Sequence, residues 1–350
     1  MSDEGEPCIL YGELYTKYKS ETIKEVISKT NIDNTKLVRS KANDVIIPCS
    51  GETAEDIATA RCVLNDNILL GGDLNIIRLH GYDGTFMSYQ LNGKRKYDIA
   101  KVAQGVSVVH LYGEHLKGVK TINPCLEEQK KIASILALLD ERIATQNKII
   151  EDLKKLKCAI VEKVYSKIQG KEYSFGQLFE VVNERNKQMS YSNILSASQE
   201  KGMVNRNELN LDIQFERSNI NTYKIVRAGD YVIHLRSFQG GFAFSDKPGV
   251  CSPAYTILRP SRLLEYGYLS YYFTSHRFIK SIIIVTYGIR DGRSINVEEW
   301  LNMKIVIPSK AQQLHILKVL KSIDDKIEND ETYATCLANQ KQYLLRQMFI

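Results

Sequence analysis

The feature that most constrains this 350-residue chain is that it repeats itself. Residues 124–143 and 308–327 align without a gap at an offset of 184. Both carry the pattern Pro-x4-Gln-x2-Ile-x3-Leu-x3-Asp-x2-Ile. A repeat limits the architecture before any secondary structure is read, because each copy must form the same kind of unit. Here the copies read as long helices. Proline suits a first helical turn, where its missing N–H costs nothing. No further Gly or Pro follows until Gly170 in one copy and the chain end in the other.

Steps of four and three residues trace an apolar seam along each copy. The first runs through Ile132, Leu136, Leu139, Ile143, Gln146, Ile150, Leu153, Lys157, Ile160 and Val164. The second runs through Ile316, Leu320, Ile323, Ile327, Asp330, Ala334, Leu337, Lys341, Leu344 and Met348. Eight of ten positions are apolar in each, and the polar breaks fall at equivalent places. A heptad seam of this length needs a long partner, and matched polar breaks specify a register. The two helices are therefore expected to pair with each other. Local cores for two separate amphipathic helices are the simpler alternative.

The repeat continues upstream more weakly. Lys36 to Arg39 and Asn43-Asp44 match Lys224 to Arg227 and Gly229-Asp230; Ser88-Tyr89 matches Ser270-Tyr271. Gln104-Gly105 and Tyr287-Gly288 precede the two prolines at similar distances. The expected fold class is α+β: two mixed α/β heads, at 1–123 and 170–307, and two long helices, at 124–169 and 308–350. The helices should pack on each other as a coiled coil. The first head is shorter at its start, with no counterpart of Phe175 to Val182 before Cys8.

Composition excludes several classes. Hydrophobic residues make up 43% and charged residues 25%, which argues against whole-chain disorder. No apolar run reaches the length of a membrane span, and the acidic start lacks a signal-peptide core, so a cytoplasmic location is expected. Seven scattered cysteines without C-x-x-C read as buried reduced thiols, not as disulfides or a zinc site. The sequence has no G-x4-G-K-[ST] loop, no Asn/Asp-Pro-Pro-aromatic run, no glycine-rich cofactor loop and no H-E-x-x-H. Neither an ATP-driven motor, a methyl transferase nor a metal enzyme is indicated.

At this point the chain resembles the specificity subunits of bacterial type I restriction–modification systems. The resemblance rests on Cys8 to Tyr18 (Cys-Ile-Leu-Tyr-Gly-Glu-Leu-Tyr-Thr-Lys-Tyr), on Val226 to Ile233 (Val-Arg-Ala-Gly-Asp-Tyr-Val-Ile), and on the two proline-led helices. It spans nearly the whole chain. It implies a non-catalytic subunit whose two heads are target-recognition domains, each reading half of a split site in double-stranded DNA. It implies that the helices pack as an antiparallel coiled coil with a pseudo-twofold internal repeat, set the spacer length and dock two methyltransferase subunits. Motor–nuclease subunits would join them. S-adenosylmethionine, ATP and Mg would be used by those partners, with no cofactor or metal in this chain. A coiled-coil adaptor that binds methyltransferase subunits without reading DNA is the alternative from another class, and a nuclease with an unrecognised site is a third.

On that reading, candidate DNA contacts are polar side chains on loops. The second head carries 17 Lys/Arg against 13 Asp/Glu over residues 171–308, a mild basic excess beside the chain's net +6. Its candidates are Ser196, Ser198 and Lys201 on one loop, Arg236, Ser237 and Gln239 on a glycine-rich second, and Arg290 and Arg293 on a third. In the first head they are Tyr15, Lys17, Tyr18, Ser50 and Thr53. For each loop, a solvated turn is the plainer reading. Tyr266, Tyr268, Tyr271 and Tyr272 cluster, but Tyr268, Leu269, Tyr272 and Phe273 share a helical face, which favours core packing over base stacking.

Overall fold

The computed structural model describes residues 4–32, 37–105, 108–198, 201–208, 217–234, 241–287 and 294–349. They form two compact units, residues 1–149 with 330–350, and residues 150–329. The fold class is the one expected, α+β with two mixed-sheet domains and two long helices packed antiparallel. The helices run Leu126–Lys167 and Lys310–Gln347. Each unit contains a head and one stretch of both helices.

Both heads are built on the same three-stranded antiparallel core. In the first unit Asp44–Pro48 lies between Arg61–Val63 and Leu74–Ile77. In the second Tyr231–Ile233 lies between Phe242–Phe244 and Thr256–Pro260. Both central strands are buried throughout. Covered on both faces, they read as continuous apolar runs, not as alternating ones.

The fourth strand falls on opposite edges. In the first unit Thr22–Ile23 pairs in parallel with Arg61–Val63. In the second unit Phe179–Val182 pairs antiparallel with Thr256–Pro260. Among the described residues Leu74–Ile77 is therefore an edge strand, whereas its counterpart is interior. A further sheet in the first unit sets Glu6–Ile9 between Ser28–Thr30 and Leu69–Leu70.

A tight turn leads into each central strand. Asp44 N–H donates to Lys41 O, and Asp230 N–H to Arg227 O. The third turn residue has positive φ, 80° at Asn43 and 96° at Gly229. Asn and Gly are the residues that tolerate it. The aspartate side chain then closes the turn and binds an arginine, Arg78 just past Leu74–Ile77 in the first unit and Arg259 within Thr256–Pro260 in the second. Asp44 takes Arg78 Nε at 3.0 Å and Nη2 at 2.8 Å; Asp230 takes Arg259 Nε at 3.1 Å and Nη2 at 3.0 Å.

The cores differ in character. The second unit centres on aromatic rings, with Phe175 stacked on Trp300 at 4.4 Å and Phe242, Phe273 and Phe278 around them. Tyr268, Leu269, Tyr272 and Phe273 are all buried there, as their spacing predicts. The first unit has smaller aliphatic clusters on the two faces of its sheet. All seven cysteines are free, but only Cys8, Cys62 and Cys251 are buried. Cys158 and Cys336 are exposed because they lie on the outer faces of the long helices, and Cys125, also exposed, precedes the first. Burial pushes the Cys62 and Cys251 thiols up to about 12, so they are inert packing residues.

Candidate nucleic-acid interface

Each residue of the repeated motif has a job, and each job is done twice. Gln129 and Gln313 are both 1% exposed. The Gln129 amide donates to Pro124 O at 2.7 Å while its oxygen accepts from Asp83 N. Gln313 donates to Pro308 O and Leu263 O and accepts from Glu265 N. The glutamine thus closes the helix start and hooks a loop of the head. Two turns on, Leu136 and Leu320 are fully buried.

The aspartates anchor the head helix and the opposite long helix together. Asp140 accepts from Tyr89 Oη at 2.7 Å and pairs with Lys341 at 2.6 Å. Asp324 accepts from Tyr271 Oη at 2.7 Å and pairs with Lys157 at 2.5 Å. Each lysine also lies over the ring of that tyrosine. Burial, and then the adjoining aspartate, pushes both phenols well above their ordinary range, so they remain hydrogen-bond donors. Beyond the lysines, Val161 and Tyr165 in the second unit match Leu345 and Phe349 in the first, all buried. Tyr165 packs on Tyr268 at 5.7 Å and Phe349 on Phe86 at 5.3 Å.

The seam is used in full. Leu136, Leu139, Ile150, Leu320, Ile327 and Leu337 are buried; Ile132, Ile143, Leu153, Ile160, Ile316, Ile323 and Leu344 are half-buried. The polar breaks face protein as well. Gln146 Nε2 donates to the Asp330 carbonyl at 3.4 Å, and the two positions are equivalent in the repeat.

The candidate DNA residues divide. In the first unit Ser50, on a two-residue strand, is buried and donates to Asp73. Thr53 is exposed and caps Ala54–Ile57, accepting from Asp56 N at 3.1 Å. Tyr15 is half-buried, and burial, then Tyr11, Asp56 and Glu52, raise its phenol. Tyr15 and the 50–56 loop therefore share one neighbourhood. Lys17 is held by Glu13 at 2.7 Å and Ser28 at 3.2 Å. Tyr18 is a core residue, 6% exposed, whose hydroxyl accepts from Ile27 N; burial makes it a packing ring and not a surface one.

In the second unit Ser196 and Ser198 are half-buried on a hairpin strand, and exposed Lys201 lies in its turn, its N–H donating to Ser198 Oγ. Arg236, Ser237, Gln239, Arg290 and Arg293 lie outside the described residues. Sequence reasoning did not select Gln104, His110, Tyr112 or His115, which the structure sets beside the Ser50 strand. Val109 and His110 pair with Gly51 and Ser50, and Gln104 bridges His110. Spacings of two and three residues across a strand end carry no periodic signal.

No group of three or more His, Cys, Asp or Glu side chains among the described residues could hold a metal. No described helix is long and apolar enough to cross a membrane. Two heads of one core design, each mounted on the long helices by the same latch, define a duplicated scaffold. The comparisons with known proteins give the family. The Type I restriction modification DNA specificity domain matches residues 10–155 and 169–334, and the chain belongs to that family. It is 26% identical over 353 residues to the Type I restriction enzyme MjaVIII specificity subunit of Methanocaldococcus jannaschii, covering 91% of this chain and 80% of that protein. It is 24% identical to the putative MjaX specificity subunit of the same organism, covering 87% and 80%. The fold matches the S subunit of a type I system from M. genitalium with TM-score 0.56 at 16% identity, covering 99% and 92%. A chain from the structural basis of complex assembly in the type I R-M system gives TM-score 0.57 at 15% identity, covering 88% and 81%. The protein is accordingly a specificity subunit, a non-catalytic member of a type I complex.

Proposed function

We propose that each unit reads one half of a split duplex site and that the helix pair sets the unspecified spacer between the halves. The observation that carries this reading is the duplicated latch. Gln, Leu, Asp, Tyr and Lys make the same contacts in both units, so two different heads are mounted on the helices by one device. Common mounts with differing heads suit a reader of two different half-sequences at a fixed separation.

The outer faces of the helices support docking of two methyltransferase subunits. Ile135, Leu138 and Ile149 follow a second heptad frame and are 53%, 62% and 41% exposed. In the first unit Leu138, Arg142, Thr145 and Tyr333 line a shallow groove of about 350 Å³. A stripe of this spacing fits a partner helix. The S-adenosylmethionine, ATP and Mg chemistry would reside in the methyltransferase and motor–nuclease partners.

The test lengthens both helices by one heptad, between Asn147 and Leu156 and at the facing stretch 325–333. Seven residues add about 10 Å, roughly the rise of three base pairs. Mapping modified bases in cells should return both half-sequences with a longer spacer. An unchanged spacer would remove the ruler. A wild-type complex that holds methyltransferase but binds random duplex equally would leave only an adaptor.

A further inference from the structure

In the first unit three rings form a ladder, with His110 and Tyr112 exposed and His115 half-buried. His110 stacks on Tyr112 with centroids 6.1 Å apart and planes at 19°. Tyr112 meets the His115 ring edge-on at 5.7 Å. Tyr112 is 55% exposed.

Its position makes that exposure unusual. Tyr112 is the N-cap of Gly113–Leu116 and makes no side-chain cap. The repeat-equivalent residue is Asn296, whose side chain caps Val297–Asn302 by accepting from Glu298 N and Glu299 N. Asn is among the best capping residues and a large aromatic among the poorer ones. The first unit thus forgoes a local stabilisation that the second unit takes, and a broken local rule is characteristic of a functional position.

The ladder also adjoins a candidate loop of its own unit. Behind it, the Gln104–His110 bridge corresponds to the pairing of Thr286–Tyr287 with Ser294–Ile295 in the second unit. Beside the ladder, His110 pairs with Ser50, three residues before Thr53.

We propose that Tyr112 and His110 are specificity-determining contacts of the first unit, meeting base edges of its half-site. The phenol and the imidazole both donate and accept hydrogen bonds, which groove reading requires. This rests on the DNA-reading role proposed above.

The full chain, co-produced with its methyltransferase subunits, would be tested on a randomised duplex library by mapping modified bases. The variants are His110→Ala and Tyr112→Asn, the latter restoring the cap found in the second unit. Both should lose roughly 10- to 100-fold discrimination at one or two positions of one half-site. The other half and the spacer should stay as in the wild type, and Tyr112→Asn should not lower the thermal midpoint. An unchanged motif in both variants would overturn the proposal. So would equal weakening on every sequence with a shallower salt dependence, which marks phosphate contacts. A wild-type complex with no split site would instead bring down the DNA-reading role, and this assignment with it.

Discussion

The two units use the same lysine–aspartate–tyrosine latch but load it differently. In the second, Lys157 meets one carboxylate, and the two side chains are 30% and 36% exposed. In the first, Lys341 meets Asp140 and also Glu21 at 2.5 Å, and its side chain is 11% exposed. Asp140 further takes Ser20 at 3.2 Å. The additional partners come from the segment leading into Thr22–Ile23, an edge strand with no counterpart among the described residues of the second unit's sheet. Burial pushes the Glu21 carboxyl up and Lys341 pulls it back. One repeated motif therefore gives a buried charge cluster in one half and a surface-grade ion pair in the other, depending on what the head lays over it.

The largest expected effect separates these two. Lys341→Met removes the cation in contact with two buried carboxylates, leaving them only the nearby Arg61 guanidinium, and should cost about 3–5 kcal/mol. Lys157→Met breaks a more solvated pair and should cost about 1 kcal/mol or less. The single tryptophan, Trp300, is buried in the second unit and reports on it by fluorescence. In Lys341→Met, loss of far-UV circular dichroism should begin before the Trp300 signal changes. Equal losses in the two variants would show that burial of the cluster contributes nothing beyond the shared pair.

A smaller effect tests what the units share. Gln129→Ala strands the Asp83 N–H and Pro124 carbonyl, and Gln313→Ala strands the Glu265 N–H and the Leu263 and Pro308 carbonyls. Each should cost about 1–3 kcal/mol, with Gln313→Ala the larger by one carbonyl. Denaturant unfolding of the full chain measures both. A neutral Gln129→Ala would mean that the glutamine hook is not the common mount.

The limits of sequence reading follow from the same residues. The seam was legible because burial along a long helix writes itself as a period, and even its polar breaks are equivalent positions. The motif glutamine was legible as a position but not as a hook, since its acceptor role depends on a loop 46 residues away. Glu21 gave no signal at all, because its partner lies 320 residues on. Tyr18 shows the opposite error. A tyrosine in a polar run looks like a surface contact until the fold turns its ring inward. The His110, Tyr112 and His115 ladder needed the second unit's Asn296 beside it to show what Tyr112 forgoes.

The smallest effect concerns acid. Burial of Asp44 opposes ionisation, but hydrogen bonds from the Arg78 guanidinium and the Lys41 N–H outweigh it and hold the carboxyl below its ordinary value. A carboxyl depressed in the folded state adds stability above its unfolded pKa, near 3.9, and loses it as pH falls through the lower folded value. Arg78→Met removes the chief depressing contact, so the carboxyl moves upward, with the Lys41 N–H still holding it down. The variant should be less stable at neutral pH and should lose less on acidification below about pH 4, flattening the acid limb of stability against pH. Because Arg78 is itself largely solvated, the change should be smaller than either effect above. Arg259→Met removes the same bidentate pair from Asp230, so at neutral pH it should destabilise the second unit in step. If Arg78→Met kept the full acid slope, the aspartate–arginine pair would be a strand-pairing device without electrostatic consequence, and the likeness of the two turns would be one of shape alone.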